Sequence, residues 1–488
     1  MNPAGATTAA MLEAALAEHR AGRLPQAEQL YRRVLAAEPN NADALHLLGM
    51  LAHACRQPQH AVDLIGRAIA INPHVAAFHC DLAIVLRDLR RYDEALNSVK
   101  RALASDRAAE GPLFVLASIL HARGEFEAAA EACERLLSMH PRHVAGHLLA
   151  GAAALRLVRV RQAITLAERA ISIEPQNASA HWNLAWALLL DGQLERGWEE
   201  FEWRLRPGGR IPPRPDLRDK PLWRREDISA ATILLYCEGG FGDALQFVRY
   251  VPMVTQRAAR VLLECPAALF DLFKSVHGAE RVIVRGQPLP DFDVACPLQS
   301  LPYNFRTTLE TIPAGVPYLA ADEQLIRQWS DRLPRGFKIG LAWAGSNNPA
   351  DRRSRTLATF APLAAAADVY FISLQIGDEA RQAKSPPAGM TLLDVSGQLT
   401  DFAQTAALMA NLDLIITVET SVAHLAGALA KPVWVLVPFG SDFRWMLGRT
   451  DSPWYPTTRL FRQSDPQDWH TPVGQMAAAL RELRAGAN

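Results

Sequence analysis

Two loops of this 488-residue chain carry side chains that could bind a ligand or move a proton. In the first loop, Glu238 precedes the glycine turn 239–242 and Asp243 follows it, directly after an apolar run. The glycines let the backbone approach a ligand closely. Asp243 lies where a helix would begin, so it is a candidate catalytic carboxylate. An aspartate in that position is also common as a helix cap, and the turn alone leaves both interpretations open.

The second loop is VETSVAH, residues 418–424, at the expected start of another helix. The free N–H groups of a helix N-terminus can hold a diphosphate. His424 would lie one turn into this helix. A histidine on an alanine-rich helix is more often packed than functional, so both interpretations of His424 stay open as well.

The elements that position these loops are short apolar runs alternating with helical segments. The first series begins at ATILLYCEG, residues 231–239, and the second at FKIGLAWAGS, which starts at residue 337. Continuous apolar strands separated by helices predict parallel sheets covered on both faces. Two such sheets in sequence predict a twin-Rossmann arrangement, with ligands beyond the carboxyl ends of the strands.

The first two hundred residues repeat with a period of 34. A small residue recurs at this step in two registers, and a proline recurs in a third: Ala27, Ala61, Ala95, Ala129, Ala163 and Gly197; Ala15, Gly49, Ala83, Ala117, Gly151 and Ala185; and Pro39, Pro73, Pro141 and Pro175, with Arg107 at the missed position. The small residues predict close helix–helix approach, and proline ends the second helix of each pair. This pattern resembles the tetratricopeptide repeat (TPR), over about six units, and stacked units of this kind form a superhelix whose concave face typically holds a peptide.

The last repeat is rich in tryptophan, with Trp182, Trp186, Trp198 and Trp203. This predicts either a face that docks on the next domain or a capping repeat that fills its own core. The stretch from Pro207 to Pro221 is rich in proline, glycine and arginine, so it is expected to be a connector.

Composition excludes several classes of protein. The 51 Lys and Arg residues balance the 51 Asp and Glu residues, so the chain has no net positive charge that would attract nucleic acid. We therefore predict no nucleic-acid partner. The six cysteines are dispersed without a CxxC pair, which favours a reducing, cytoplasmic compartment. We expect neither an export signal nor a membrane span, since no apolar stretch approaches about 18 residues.

From about residue 230 to 488 the sequence resembles the glycosyltransferase-B (GT-B) enzymes of the bacterial heptosyltransferase type, especially versions fused behind TPR repeats. The motifs that carry the resemblance are GGFGDALQFVRY, AGSNNPADRRSRTL and VETSVAHLAGALAKPVWVL. The resemblance implies a metal-independent, inverting glycosyltransferase. No resident cofactor is expected, because the nucleotide sugar is a substrate.

The resemblance also assigns roles to residues. Asp243 becomes the general base that removes the proton from the acceptor hydroxyl. The arginine run, otherwise an ordinary solvated charge run, would lie near the donor diphosphate, because guanidinium groups suit phosphate oxygens. The expected donor-binding set is Gly240, Gly242, Arg352, Arg353, Arg355, Glu419, Thr420, Ser421 and His424.

Two departures from the family pattern leave the donor unassigned. Glu419 stands where the family usually has aspartate, and Ser421 stands where it has glycine. The first α/β domain is also short, which leaves the repeats as one source of acceptor surface.

Two motifs resemble a dinucleotide-binding fingerprint and a metal-binding motif, and both are interpreted otherwise. A dinucleotide fingerprint would need glycine where Leu245 stands, and Asp243 would oppose the pyrophosphate. The Asp291-Phe292-Asp293 triplet imitates the DxD metal motif of another glycosyltransferase class, but it leads into a strand and is interpreted as structural, so no metal is expected.

The sequence therefore predicts an N-terminal TPR α-solenoid at 8–206, a linker at 207–229, and GT-B Rossmann-like domains at 230–333 and 334–488. The predicted function is transfer of a sugar from a nucleotide sugar to a hydroxyl on a protein or peptide held by the TPR groove. An inactive scaffold that binds a partner, and an enzyme acting on an envelope glycan, remain as alternatives. The repeats are also compatible with a homodimer.

Overall fold

The computed structural model describes residues 3–105, 108–345 and 353–486. Contacts divide the chain into two compact units, 1–183 and 184–488, with the boundary inside a helix of the last repeat. The predicted domain bounds at 206, 229 and 333 stay predictions. No described helix is long and apolar enough to cross a bilayer.

The described residues before the first strand form twelve α-helices in antiparallel pairs. They are α1 (Pro3–Arg20), α2 (Leu24–Ala37), α3 (Ala42–Ala54), α4 (Pro58–Ile71), α5 (Ala76–Asp88), α6 (Tyr92–Ser105), α7 (Glu110–Arg123), α8 (Phe126–Met139), α9 (Val144–Arg156), α10 (Val160–Ile173), α11 (Ala178–Leu190) and α12 (Leu194–Phe201).

The 34-residue spacing has the expected physical cause. The alanines of the Ala27 series are at most 1 % exposed. A β-carbon added at Gly49 would lie 2.7 Å from Ile65 Cγ1, and one at Gly197 would lie 2.6 Å from Leu189 Cδ2, so these helices touch where larger side chains cannot fit. The prolines of the third series follow the ends of α2, α4, α8 and α10, while Arg107 lies outside the described residues.

The second unit contains two sheets in which every pair of strands is parallel, which confirms the predicted solenoid followed by parallel α/β layers. The first sheet has the order β3-β2-β1-β4, with β1 (Thr232–Tyr236), β2 (Arg260–Cys265), β3 (Arg281–Val284) and β4 (Val294–Pro297). The second has the order β10-β9-β8-β5-β6-β7, with β5 (Phe337–Ala342), β6 (Val369–Ser373), β7 (Leu392–Leu393), β8 (Leu414–Val418), β9 (Val433–Val437) and β10 (Thr458–Arg462).

The helices of this unit cover the sheets. They are α13 (Phe241–Phe247), α14 (Val251–Val254), α15 (Ala267–Phe273), α16 (Leu301–Asn304), α17 (Glu323–Ser330), α18 (Phe402–Ala410), α19 (Ser421–Ala428) and α20 (His470–Ala485). The segment Leu357–Ala365 is a 3-10 helix with Pro362 inside it, because proline cannot donate to an α-helical ladder.

Each sheet has a point where the strand order reverses. One of the two candidate loops follows a strand at each of these points. β1 and β4 are neighbours although β2 and β3 lie between them in sequence, and β5 and β8 are neighbours in the same way. The glycine turn follows β1, and loop 418–424 begins at the end of β8. Ligands in open α/β sheets bind in the crevice at such points.

The tryptophans of the last repeat resolve one open alternative. Trp186 lies 5.2 Å from the ring of Phe443, and Trp198 lies 5.9 Å from Phe247 and 6.3 Å from Trp454. Phe247 belongs to α13, beside the first sheet, and Phe443 and Trp454 follow β9 of the second. These residues of the last repeat therefore pack on both α/β layers instead of only filling the repeat's own core.

Candidate functional site

The glycine turn brings the two predicted loops together. Gly239 has φ +71°, and a β-carbon there would lie 2.5 Å from Asp243 Oδ2. At Gly242 a β-carbon would lie 2.8 Å from His424 Cδ2. Only glycine fits both places, so Gly242 lets α13 of the first sheet approach α19 of the second.

The close approach at Gly242 predicts a large effect of one methyl group. We expect Gly242→Ala to lower the free energy of unfolding by about 1–3 kcal/mol, because the buried His424 ring cannot move freely. The control is Gly474→Ala in α20, where nothing lies within 4 Å and alanine should stabilise by about 0.5–1 kcal/mol. Urea unfolding of both variants measures the difference, and equal effects would contradict this account of Gly242.

Asp243 occupies the third position of α13 and makes two contacts. Its Oδ2 accepts a hydrogen bond from Gly240 N–H at 2.8 Å, so Asp243 does take part in capping the helix. Its Oδ1 accepts from the guanidinium of Arg444. The carboxylate remains 24 % exposed, so a ligand hydroxyl can reach it.

Arg444 is a site residue that sequence reasoning missed. It lies in the 3-10 helix Phe443–Trp445 after β9 and donates to Asp442, at 3.0 and 2.9 Å, as well as to Asp243 and Gln246. Burial disfavours its charge, but the carboxylates of Asp442 and Asp243 outweigh burial and raise its pKa. Arg444 thus links the first α/β layer to the second.

His424 is a packed, neutral imidazole. Its Nδ1 lies 2.8 Å from the Tyr455 hydroxyl, and its ring stacks on Trp445 at 5.5 Å between centroids. Burial, and then the positive charges of Arg444, Arg249 and Arg353, hold its pKa well below the usual value. His424 therefore contributes shape and hydrogen bonding at neutral pH, not positive charge.

The N-terminus of α19 is built from Thr420 and Ser421. Thr420 is the N-cap, and its Oγ1 accepts from Val422 N–H at 3.2 Å and lies 3.2 Å from Thr417 Oγ1. Ser421 is half-buried at the first helical position. Thr420 thus satisfies two N–H groups of the helix end, because its main-chain oxygen also accepts from Ala423 N–H at 3.1 Å.

Glu419 is almost fully buried, and this changes its protonation. Burial and the nearby Asp442 carboxylate raise its pKa to about 8, although Arg353 and Arg462 oppose the shift. Its Oε1 accepts from Asp442 N–H at 3.4 Å. At neutral pH a large share of Glu419 is therefore protonated and can donate a hydrogen bond.

This buried glutamate predicts a pH dependence of stability. The native pKa lies above the unfolded value of about 4.3, so its stabilising contribution is full below the unfolded pKa and is lost as pH rises toward 8. We expect the urea midpoint of the wild type to fall more between pH 5.5 and 8.5 than that of Glu419→Gln, which cannot ionise. Glu280→Gln, at an exposed ion pair with Arg260, is the control. Parallel pH profiles for the wild type and Glu419→Gln would contradict the shifted pKa.

The arginine run is divided by the fold. Arg352 lies outside the described residues. Arg353 is half-buried, and its charge acts on both Glu419 and His424. Arg355 instead lies over the ring of Trp469 at 4.5 Å, and its N–H donates to Trp343 O at 2.7 Å. The charge of Arg353 thus reaches residues of the second loop.

The DxD look-alike occupies a structural position. Asp293 Oδ2 accepts from Thr232 N–H at 2.7 Å at the start of β1, and Phe292 is buried. Within residues 3–105, 108–345 and 353–486, no group of three or more His, Cys, Asp or Glu side chains is placed to hold a metal ion. The expected absence of a metal stays a prediction.

Comparison with protein families confirms the two resemblances. Residues 9–76, 80–144, 113–177 and 148–202 match the tetratricopeptide repeat model, and residues 363–440 match glycosyltransferase family 9 (heptosyltransferase). The second match includes Glu419, Thr420, Ser421 and His424, but neither Asp243 nor Arg353.

Two curated relatives have similar sequences. Protein FlbA of Caulobacter vibrioides is 26% identical over 511 residues, which cover 96% of this chain and 84% of FlbA. Protein O-mannosyl-transferase TMTC3 of Homo sapiens is 29% identical over 167 residues, which cover 33% of this chain and 18% of that protein.

Solved structures are similar to part of the chain. The crystal structure of MamA is 22% identical and covers 33% of this chain and 94% of its own, with a TM-score of 0.30. Pseudomonas aeruginosa pilF is 18% identical and covers 41% of this chain and 89% of its own, with a TM-score of 0.35. At these scores the likeness supports no functional conclusion.

Proposed function

We propose that this chain, which joins tetratricopeptide repeats to a glycosyltransferase family 9 segment, transfers a sugar from a nucleotide sugar to a hydroxyl of a protein or peptide. The observation that carries the proposal is the meeting of the two loops. Asp243 and Gly242, after β1, lie beside His424 and Arg444, which follow strands of the second sheet. A GT-B enzyme needs its acceptor and donor loops to face each other in this way.

In the proposed reaction, Asp243 accepts the proton of the acceptor hydroxyl as its oxygen attacks the anomeric carbon. The bond from that carbon to the diphosphate oxygen breaks in the same step, which inverts the configuration. Arg353 and the positive end of the α19 dipole stabilise the departing diphosphate, so the step needs no metal. Glu419, protonated in part, is suited to donate a hydrogen bond to the nucleoside.

The contacts of Asp243 support this role in one specific way. Each carboxylate oxygen has two acceptor positions, and Gly240 N–H and Arg444 each use one. A lone pair therefore remains for a hydroxyl, while both contacts fix the direction of the carboxylate. Proton transfer needs this fixed geometry within hydrogen-bond reach.

The partners and compartment complete the proposal. The repeats supply a surface for a polypeptide, as stacked helical repeats commonly do. All six cysteines are free thiols, which fits a reducing, cytoplasmic compartment. The donor enters as a substrate, with no resident cofactor.

A thermal-shift screen tests the proposal with ADP, UDP, GDP, CDP and CMP and their sugar conjugates, and with NAD as control, because a ligand that binds only the folded state raises its apparent stability. We expect one nucleotide series to raise the melting temperature. Failure of every nucleotide sugar would favour an inactive scaffold, and a shift with NAD alone would overturn the transferase.

Arg353 and Arg355 are expected to differ in their contribution to donor affinity. Arg353→Gln should weaken binding of the active nucleotide sugar by roughly ten- to a hundredfold, because a charge-assisted contact to phosphate contributes about 1.5–3 kcal/mol. Arg355→Gln should leave donor affinity near wild type, because the Arg355 guanidinium lies over the ring of Trp469. Titration calorimetry measures both affinities, and a larger loss for Arg355→Gln would contradict the assigned geometry.

A further inference from the structure

Arg204 belongs to the 3-10 helix Glu202–Leu205, which follows α12 of the last repeat and lies within the second unit. Its side chain is 1% exposed and makes five hydrogen bonds, one for each guanidinium N–H group. The acceptors are Phe201 O at 3.0 Å, Glu202 Oε1 at 2.7 Å, Ser300 Oγ at 2.8 Å, and Glu238 Oε1, which accepts from Nε at 3.0 Å and also from Nη2. Only a guanidinium presents five donors in a fixed fork, so no other side chain can make all of these contacts.

The contacts of Arg204 meet at the point where the strand order of the first sheet reverses. Glu238 follows β1, Ser300 ends the 3-10 helix after β4, and these two strands are neighbours in the sheet. Ser300 Oγ also donates to Glu202 Oε1 at 2.6 Å. The main chain is held at the same place, because Gln299 Nε2 donates to Glu238 O at 3.1 Å. Arg204 therefore joins the end of the repeats to both strand ends beside the glycine turn.

The side chain of Glu238 depends on Arg204. Glu238 is 7% exposed, and both hydrogen bonds to its Oε1 come from Arg204, while its Oε2 has no partner among the described residues. Burial raises the pKa of Glu238, the Arg204 guanidinium opposes this shift, and the charges of Glu202 and Asp243 add to it. An unpaired carboxylate is costly in a protein interior. Without Arg204, Glu238 would therefore move or take up a proton.

The glycine turn is fixed by side chains at its two ends. Three of the four residues 239–242 are glycine, and glycine leaves the backbone more freedom than any other residue. Glu238 precedes the turn and is bound by Arg204, and Asp243 follows it and is bound by Arg444. Both arginines are buried. Release of either end would make more backbone conformations available to the turn, and the direction of the Asp243 carboxylate would then vary.

We propose that Arg204 is a positioning residue: through Glu238 it fixes the glycine turn, and thereby the direction of the Asp243 carboxylate. Arg204 is buried and acts through its protein partners, not on a ligand. The expected effect on turnover rests on the proposed glycosyltransferase function, whereas the expected effect on the turn does not. The last repeat is thus part of the catalytic unit as well as of the solenoid.

The test removes the contact from each side, in the full chain. Arg204→Lys keeps the charge but has three donors in place of five. Glu238→Ala removes the acceptor and leaves Arg204 paired with Glu202 and Ser300, so it keeps the proposal testable if Arg204→Lys does not fold. The double variant measures whether the two residues act together. Each protein is assayed for kcat and for the KM of the donor, and amide hydrogen exchange is recorded for the segment 238–247.

Arg225→Lys is the matched control. Arg225 lies between the last repeat and β1, and its guanidinium donates to Tyr303 O at 3.0 and 2.9 Å, on α16 after β4. It therefore anchors the same part of the chain to the same layer, but its described hydrogen bonds do not reach residues 238–243. We expect its kcat and the exchange of segment 238–247 to stay near wild type.

We expect Arg204→Lys and Glu238→Ala each to lower kcat by about tenfold or more, because a small misplacement of a reacting group is costly. The KM of the donor should change less than about twofold, and the double variant should lose no more kcat than the worse single variant. Exchange of segment 238–247 should be faster in all three variants.

An unchanged kcat in Glu238→Ala, multiplied losses in the double variant, or equal losses in Arg225→Lys would overturn the positioning role. A wild type without turnover on any nucleotide sugar would instead count against the glycosyltransferase proposal. Hydrogen exchange then decides the structural part alone, because unchanged exchange in Arg204→Lys and Glu238→Ala would show that Arg204 does not hold the turn. The two failures are therefore distinguishable.

Discussion

Asp243→Asn should reduce sugar transfer by about 10²–10⁴-fold while leaving donor binding intact. The amide keeps an oxygen for Gly240 N–H, so the turn after β1 retains one of its two fixed contacts. It cannot accept a proton from the acceptor hydroxyl. Turnover is measured with the nucleotide sugar identified by thermal shift, and donor affinity is measured by calorimetry on the same preparation.

The control is Asp442→Asn, which also removes a charge that faces Arg444. If the loss of turnover came only from disturbing Arg444, both variants would lose activity alike. We expect Asp442→Asn to retain far more activity, because the Asp243 side chain and its contact with Gly240 N–H are unchanged. A scaffold without catalysis would show no turnover in the wild type, and equal losses would contradict Asp243 as the base.

Arg444→Met should lower the free energy of unfolding by up to about 3–5 kcal/mol, because removal of the buried guanidinium leaves the half-buried carboxylates of Asp243 and Asp442 uncompensated. Arg444 is 7% exposed and binds Asp442, Asp243 and Gln246. The matched control is Arg449→Met. Arg449 is only partly buried and pairs with the exposed Asp451, so we expect a loss below about 1 kcal/mol.

Urea unfolding measures the free energy of unfolding of both variants. A third variant, Arg444→Lys, separates the effect on stability from the effect on the orientation of Asp243. Lysine keeps the charge but lacks the forked geometry that reaches three partners at once. We therefore expect Arg444→Lys to fold and to lose kcat more than KM, because Asp243 is less well oriented. Comparable destabilisation by Arg444→Met and Arg449→Met would contradict the linking role of Arg444.

The sequence predicted those elements whose residues are apolar in a continuous run. β1, β8 and β9 are almost fully buried, and such strands are recognisable because both faces are covered. β7 was missed because it has two residues, and β10 because its pattern, with Arg459 and Arg462 among apolar residues, is that of an edge strand. Helix α20 was missed in the same region.

The sequence predicted individual residues of the candidate site, but not the contacts between residues that are far apart in the chain. Local motifs indicated Asp243, Glu419 and His424, because each follows a buried strand. Arg444 is 201 residues from Asp243, and no local pattern relates them. The raised pKa of Glu419 likewise depends on burial and on the nearby Asp442, both of which only the fold provides. The catalytic and donor-binding roles of these residues stay predictions.

The packing of Trp198 has a consequence for how such a chain can be divided and recombined. Its ring lies against Phe247, Phe443 and Trp454, so the last helix of the repeats is an integral layer of the α/β unit. A fragment starting at the connector would expose this aromatic surface to water. Repeat arrays can therefore be exchanged between such proteins only upstream of Leu184, where the second compact unit begins. The part that can be exchanged is thus the set of repeats before the last, because the last repeat packs as a layer of the α/β unit.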